Sequence, residues 1–113
     1  GTGITLWAIF SNGEEISETN PVRIGADSLG ERGRRAEDVG KEAAERLINE
    51  INYSAPVDEY LADNLIPIMA IPGGIMRVSK ISHHAHTNIF VTEQFLEKIF
   101  IVDETNKTIK TVF

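Results

Sequence analysis

The sequence contains no cysteine in 113 residues. That excludes a disulfide framework and any thiolate metal site, and it leaves only a mild lean towards the cytosol. No apolar run approaches the length of a membrane-spanning helix, and no charged start leads into an apolar core as in a secretion signal, so a soluble, cytoplasmic chain is expected. Basic residues are scarce as well. Lys and Arg number 11 against 17 Asp and Glu, for a net charge of -6, which argues against a non-specific grip on a nucleic-acid backbone and requires any polyanion to be met locally. At this length and 42% hydrophobic content, residues 1–113 are expected to form a single domain with one modest core. The chain opens Gly1-Thr2-Gly3 without an initiator Met and runs almost at once into apolar alternation, which reads as an internal segment of something longer.

What is present begins with a strand. Ile4, Leu6, Ala8 and Phe10 alternate with Thr5, Trp7 and Ile9, a period-two pattern of β-branched and aromatic residues. Ser11-Asn12-Gly13 follows, and Asn-Gly favours a tight hairpin whose return strand would start near Glu14. Pro21 interrupts that region, and Val22 to Gly25 fits an edge strand or an extended loop equally. The stretch from Ser28 to Arg35 combines Gly30 and Gly33 with Arg32, Arg34 and Arg35. It reads as a solvated connection, or else as glycines and Arg forks approaching a phosphate.

Ala36 to Asn52 is the clearest helix. Val39, Ala43, Leu47 and Ile51 recur every fourth residue, with charged residues on the other face and Glu37 and Asp38 suited to the first turn. A second helix opens near Pro56, with Val57, Leu61, Leu65 and Ile68 as its stripe, Leu61 expected in the core, and Pro67 expected to loosen it. Ile75 to Ile81 alternates as a strand. A third helix is expected from Thr87, with Thr87 as its N-cap, then a strand from Lys98 to Val102 and a turn at 105–108 into a last extended stretch. The order β, (β), α, α, β, α, β, (β) predicts an α/β (α+β) two-layer sandwich, a roughly four-stranded sheet with two to three helices on one face.

All three histidines crowd into Ser82-His83-His84-Ala85-His86-Thr87-Asn88. Imidazole titrates near neutrality, so such a group can ligate a metal, move a proton or attack an electrophile, whereas the bland alternative is a polar surface connection. A metal would need more than His84 and His86, with Asp63 or Glu59 the only local candidates, and no ligand-spaced motif exists. A serine nucleophile is less supported, because Ser82 lacks a nucleophile-elbow context. Histidine itself remains as base or nucleophile. A neutral ring nitrogen can attack phosphorus and later leave, and a helix N-terminus near Thr87 and Asn88 would face the same phosphate.

Three stretches then agree in order and spacing: Gly30-Glu31-Arg32-Gly33 with Ala36-Glu37, Tyr60-Leu61-Ala62-Asp63-Asn64 after Glu59, and His84-Ala85-His86-Thr87-Asn88-Ile89. Together they resemble the C-terminal part of the RNA 3′-terminal phosphate cyclases, over nearly the whole chain to about Leu96. The resemblance implies ATP-dependent conversion of an RNA 3′-phosphate into a 2′,3′-cyclic phosphate, with ATP and Mg²⁺ required and a histidine-AMP intermediate. It implies that the adenylylated histidine is His84, in a His-x-x-Thr pattern completed by Thr87. It implies a nucleotide-binding run at Tyr60, Leu61, Ala62, Asp63 and Asn64, where Asn64 keeps the amide of the family's Gln but loses one methylene. The implied fold is the last of several modules, each a four-stranded sheet with two helices. The N-terminal modules of the same protein, which hold metal and the RNA terminus, and the smaller insert domain are then expected to lie outside the chain, which would be inactive alone. A non-catalytic cyclase-like protein of ribosome or rRNA assembly is the alternative, and the intact His84 counts against it.

Overall fold

Alternation along Gly3–Phe10 (β1) is answered by an equally long strand, Val22–Leu29 (β2). The two pair antiparallel, Gly3 opposite Leu29 and Phe10 opposite Val22. The computed structural model describes residues 1–11, 13–97 and 99–113, and contacts divide them into two compact units, Gly1–Ser54 and Ala55–Phe113. In the first unit the return strand starts at Val22, not near Glu14. Pro21 stands just ahead of it, where a missing N–H costs no ladder bond. Asn12, on which the tight turn was expected, lies outside the described residues.

The ribbon closes where the Gly30 N–H donates to the Thr2 carbonyl at 2.8 Å. A Cβ on Gly30 would sit 2.3 Å from Thr2 Oγ1, so this glycine answers to close backbone approach within the fold. Gly33, at φ 83°, then turns the chain in the left-handed region. The helix Ala36–Tyr53 (α1) follows, with Glu37 and Asp38 in its first turn and Ser54 ending it at φ 52°. It packs on both strands through Val39 and Ala43, which are buried.

The second unit holds the helix Glu59–Met69 (α2), the short strand Ile75–Arg77 (β3), the helix His83–Phe95 (α3), and the strands Phe100–Asp103 (β4) and Thr108–Thr111 (β5). The sheet order is β3-β5-β4, antiparallel throughout. Met76, Phe100 and Ile109 point inward and are buried against Ala62, Ile66, Ala85 and Ile89 of the two helices. Their neighbours Ile75, Ile101 and Lys110 are exposed, so the helices cover one face only. Asp103 organises the β4–β5 turn: Oδ1 accepts from the Asn106 N–H at 2.9 Å and Oδ2 from Asn106 Nδ2 at 2.8 Å. The backbone bond leads the interactions that hold the Asp103 carboxyl below its ordinary range.

The α+β class expected from the sequence holds, with three helices among the described residues. The strands are divided between a two-stranded and a three-stranded sheet, rather than gathered in one of about four. The strand expected over 75–81 is shorter: the Val78 N–H still donates to the Lys107 carbonyl at 2.9 Å, but Val78 also bridges Val57 in parallel and the Ser79 N–H turns to the Val57 carbonyl at 2.9 Å. Lys98, where the next strand was expected to open, lies outside the described residues.

Candidate active site

Residue Ser82 decides where α3 begins. Its side chain is buried and accepts the Ala85 N–H at 3.0 Å, the geometry of an N-cap bonded to the third helical residue. The cap is therefore Ser82, not Thr87. Thr87 lies inside the helix and its hydroxyl donates to the His83 carbonyl at 2.9 Å. His84 consequently occupies the first turn of α3 and is exposed there. The first intrahelical donor is His86, whose N–H reaches the Ser82 carbonyl at 3.2 Å. The N–H groups of His83 and His84 precede it and form an anion-facing helix start beside the exposed imidazole.

The run Tyr60 to Asn64 lies on α2, whose own cap is Asp58, accepting the Leu61 N–H at 2.7 Å. Tyr60 is 61% exposed. Ala62 is fully buried and faces the core. Leu61, expected in that core, is exposed. The buried stripe runs Ala62, Ile66, Ala70, one position on from the stripe that the larger side chains suggest, because small residues let α2 approach its neighbours closely. Asn64 Nδ2 donates to the Tyr60 carbonyl at 2.9 Å, so the shortened amide folds back on its own helix.

The structure brings the two motifs together at Asp63. Ser82 Oγ donates to Asp63 Oδ1 at 2.9 Å, and Asn88 Nδ2 donates to the Asp63 carbonyl at 3.0 Å. The segment carrying the histidines is thus tied at both ends to the run 60–64. His86 Nε2 lies 2.9 Å from Glu104 Oε1 on the surface, and Lys80 Nζ lies 3.6 Å from Glu59 Oε2. Among the described residues no group of three or more His, Cys, Asp or Glu gathers in a way that could hold a metal, so the pairing of His84 and His86 with Asp63 or Glu59 finds no support.

The arginines of the first unit divide. Arg34 Nη2 donates to Glu42 Oε2 at 2.5 Å, Arg46 Nη2 donates to Glu42 Oε1 at 2.6 Å, and Ser28 Oγ also donates to Oε2 at 2.5 Å. The Ser28 hydroxyl and then the Arg34 guanidinium hold the Glu42 carboxyl below its ordinary range, and Glu42 in turn raises Arg34. Arg34 is therefore occupied in joining β2 to α1. Arg35 makes only a loose contact with Glu37, 3.7 Å apart, and Arg32 is exposed. The link of Ser28 to Glu42 was not legible in the sequence because it spans strand and helix. Ser82 was weighed there only as a nucleophile, and its roles as helix cap and as tie to Asp63 were not foreseen.

The class that fold and motif order define is an α+β chain with an exposed first-turn histidine on one helix and a polar anchor, Asp63, on the helix before it. Residues 1–52 match the family model described as RNA 3'-terminal phosphate cyclase (RTC), insert domain. The chain is 45% identical to the RNA 3'-terminal phosphate cyclase of Thermococcus onnurineus over 103 residues, 91% of this chain and 28% of the relative. It is 45% identical to that of Caldivirga maquilingensis over 97% of this chain and 29% of the relative, and 44% identical to that of Methanosarcina acetivorans over 92% and 26%. Over nine-tenths or more of its length the chain is thus similar to RNA 3′-terminal phosphate cyclases, and it spans less than a third of the length of these relatives. The insert-domain match nearly coincides with the first unit, Gly1–Ser54. The motif resemblance had set the insert domain outside the chain, and residues 1–52 are nevertheless similar to it.

Proposed function

We propose that this chain contributes the nucleophile of an ATP-dependent RNA 3′-phosphate cyclase, and that His84 is that nucleophile. A neutral ring nitrogen of His84 forms a bond to the α-phosphorus of ATP while the bond to the pyrophosphate oxygen breaks, and pyrophosphate leaves. The AMP then passes to the terminal 3′-phosphate of RNA, freeing the imidazole. The neighbouring 2′-hydroxyl attacks the activated phosphate, loses its proton and expels AMP, closing the 2′,3′-cyclic phosphate. The observation that carries this reading is the pair of bonds from Ser82 and Asn88 to Asp63, which link the helix start bearing His84 to the run 60–64.

In this reading the N–H groups at the start of α3 stabilise charge on the α-phosphate. Tyr60, exposed on α2, offers a ring face to the adenine, and Leu61 and Asn64 extend that face of the run, while Ala62 is packed in the core beneath it and Asp63 ties it to α3. Mg²⁺, expected with ATP, finds no ligand cluster among the described residues, and no step is assigned to it. The remaining N-terminal modules of the same protein are proposed to supply the contacts to metal and to the RNA 3′-phosphate terminus, in the cytoplasm.

The test uses a complete protein containing this sequence, incubated with ATP labelled at the α-phosphate and then with RNA ending in a 3′-phosphate. Label is expected to stay with the protein until RNA is added and to be absent from His84→Ala, with cyclisation lost in parallel. Retention of label by His84→Ala would overturn the reading.

A further inference from the structure

Asp63 is where α2 and α3 are fastened, and the fastening depends on a proline. In an uninterrupted helix the Asp63 carbonyl would accept from the N–H four residues on. That residue is Pro67, inside α2, which has no N–H to give. The freed carbonyl accepts from Asn88 Nδ2 at 3.0 Å, while the Asp63 side chain accepts from Ser82 Oγ at 2.9 Å. Ser82 is 7% exposed and uses its hydroxyl twice, donating to Asp63 and accepting from the Ala85 N–H at 3.0 Å. The two cross-helix bonds bracket His83–Thr87, the stretch that holds every histidine.

We infer that Ser82 and Asn88, anchored on the Asp63 carboxylate and on the carbonyl that Pro67 leaves open, are positioning residues that set the direction of His84 towards the α-phosphate. The inference rests on the reading of His84 as nucleophile and deepens it. One bond alone would leave α3 free to swivel about it, whereas the pair fixes both rotation and slide of its first turns against α2. Because the Ser82 hydroxyl takes the Ala85 N–H, the donors of His83 and His84 stay available for phosphate oxygens. Asp63 then acts through Ser82, not on the adenosine.

The experiment measures, in the complete protein, the single-turnover rate of His84 adenylylation at saturating ATP, the ATP concentration giving half that rate, and the melting temperature. Ser82→Gly keeps an acceptable helix cap but removes the donor to Asp63. It is expected to slow adenylylation roughly 100-fold, as a small misplacement of a reacting group does, with half-saturating ATP within about threefold of the unmodified protein. Pro67→Ala replaces the worst helix former with the best and offers the Asp63 carbonyl a competing N–H. It is expected to hold or raise the melting temperature while slowing adenylylation. Ser82→Gly combined with Asp63→Ala is expected to be no slower than the slower single variant. Full rate in Ser82→Gly, losses that multiply in the double variant, or a fall in rate that merely tracks the melting temperature in both single variants would overturn the inference. An unmodified protein that takes up no adenylate would overturn the reading of His84 itself, and this inference with it.

Discussion

Glu42 shows how much one side chain decides in the first unit. Its carboxylate receives Ser28, Arg34 and Arg46, so β2, the turn after it and α1 all meet on two oxygens. The Ser28 and Arg34 bonds lower its pKa in the folded state, which makes the folded state bind fewer protons than the unfolded one in the acid range. The contribution is complete above the ordinary carboxylate pKa and is lost as pH falls through the lower, folded value. Urea melts across pH are expected to show stability declining on that acid limb, and Glu42→Gln is expected to be less stable at pH 7 and to flatten the limb. A limb unchanged in Glu42→Gln would remove this residue as its source. The sequence placed Arg34 in a solvated connection or, alternatively, near a phosphate, and nothing local pointed to Glu42. Its partner lies on the far side of a turn, and only the folded chain brings the two within reach.

At the scale of elements, periodicity served well where a regular pattern runs unbroken over seven residues or more, whether or not a face is buried. β1 and α1 run as the alternation at Ile4–Phe10 and the stripe from Val39 imply. It served poorly where small residues carry the packing: Ala62 and Ala85, both fully buried, carry no weight in a search for large apolar side chains, and Leu61 was assigned the core in their place. The start of α3 was misplaced for a related reason, since a buried serine cap beside histidines looks like a polar loop. Elements are also closed by polar side chains. Glu93 Oε1 accepts the N–H groups of Ile99 and Phe100, each at 3.0 Å, where the chain passes from α3 to β4. Both residues are buried, so Glu93→Ala is expected to cost about 1–3 kcal/mol by stranding those donors, and Glu93→Gln less, because an acceptor oxygen remains. Equilibrium denaturation of the two variants measures the difference, and equal losses would contradict the assignment.

For the whole molecule, the division at Ser54 and Ala55 gives two units, the first matched by the insert-domain model and the second bearing the histidines and the run 60–64. The core of the second is knit from Ile66, Met76, Phe100 and Ile109 with the alanines of α2 and α3. Ile109→Ala, at a fully buried position, is expected to cost about 2–5 kcal/mol, and hydrogen exchange is expected to show the lost protection within residues 55–113. Protection lost only in residues 1–54 would contradict that core. The similarity to the cyclases was legible from three short motifs, whereas the insert-domain match of residues 1–52 was not. Those residues form an ordinary ribbon and helix, and their one motif, Gly30 to Glu37, does not distinguish them from a module's flank.

The central claim is that a single imidazole in the first turn of α3 carries AMP. Mass-spectrometric mapping of the complete protein, digested under mildly alkaline conditions after brief exposure to ATP and Mg²⁺, tests it most directly. The tryptic peptide beginning at Ile81 is expected to gain the mass of one adenylate, with fragment ions placing it on His84. An adenylate on His83, on His86 or on a residue elsewhere in the protein would contradict the account.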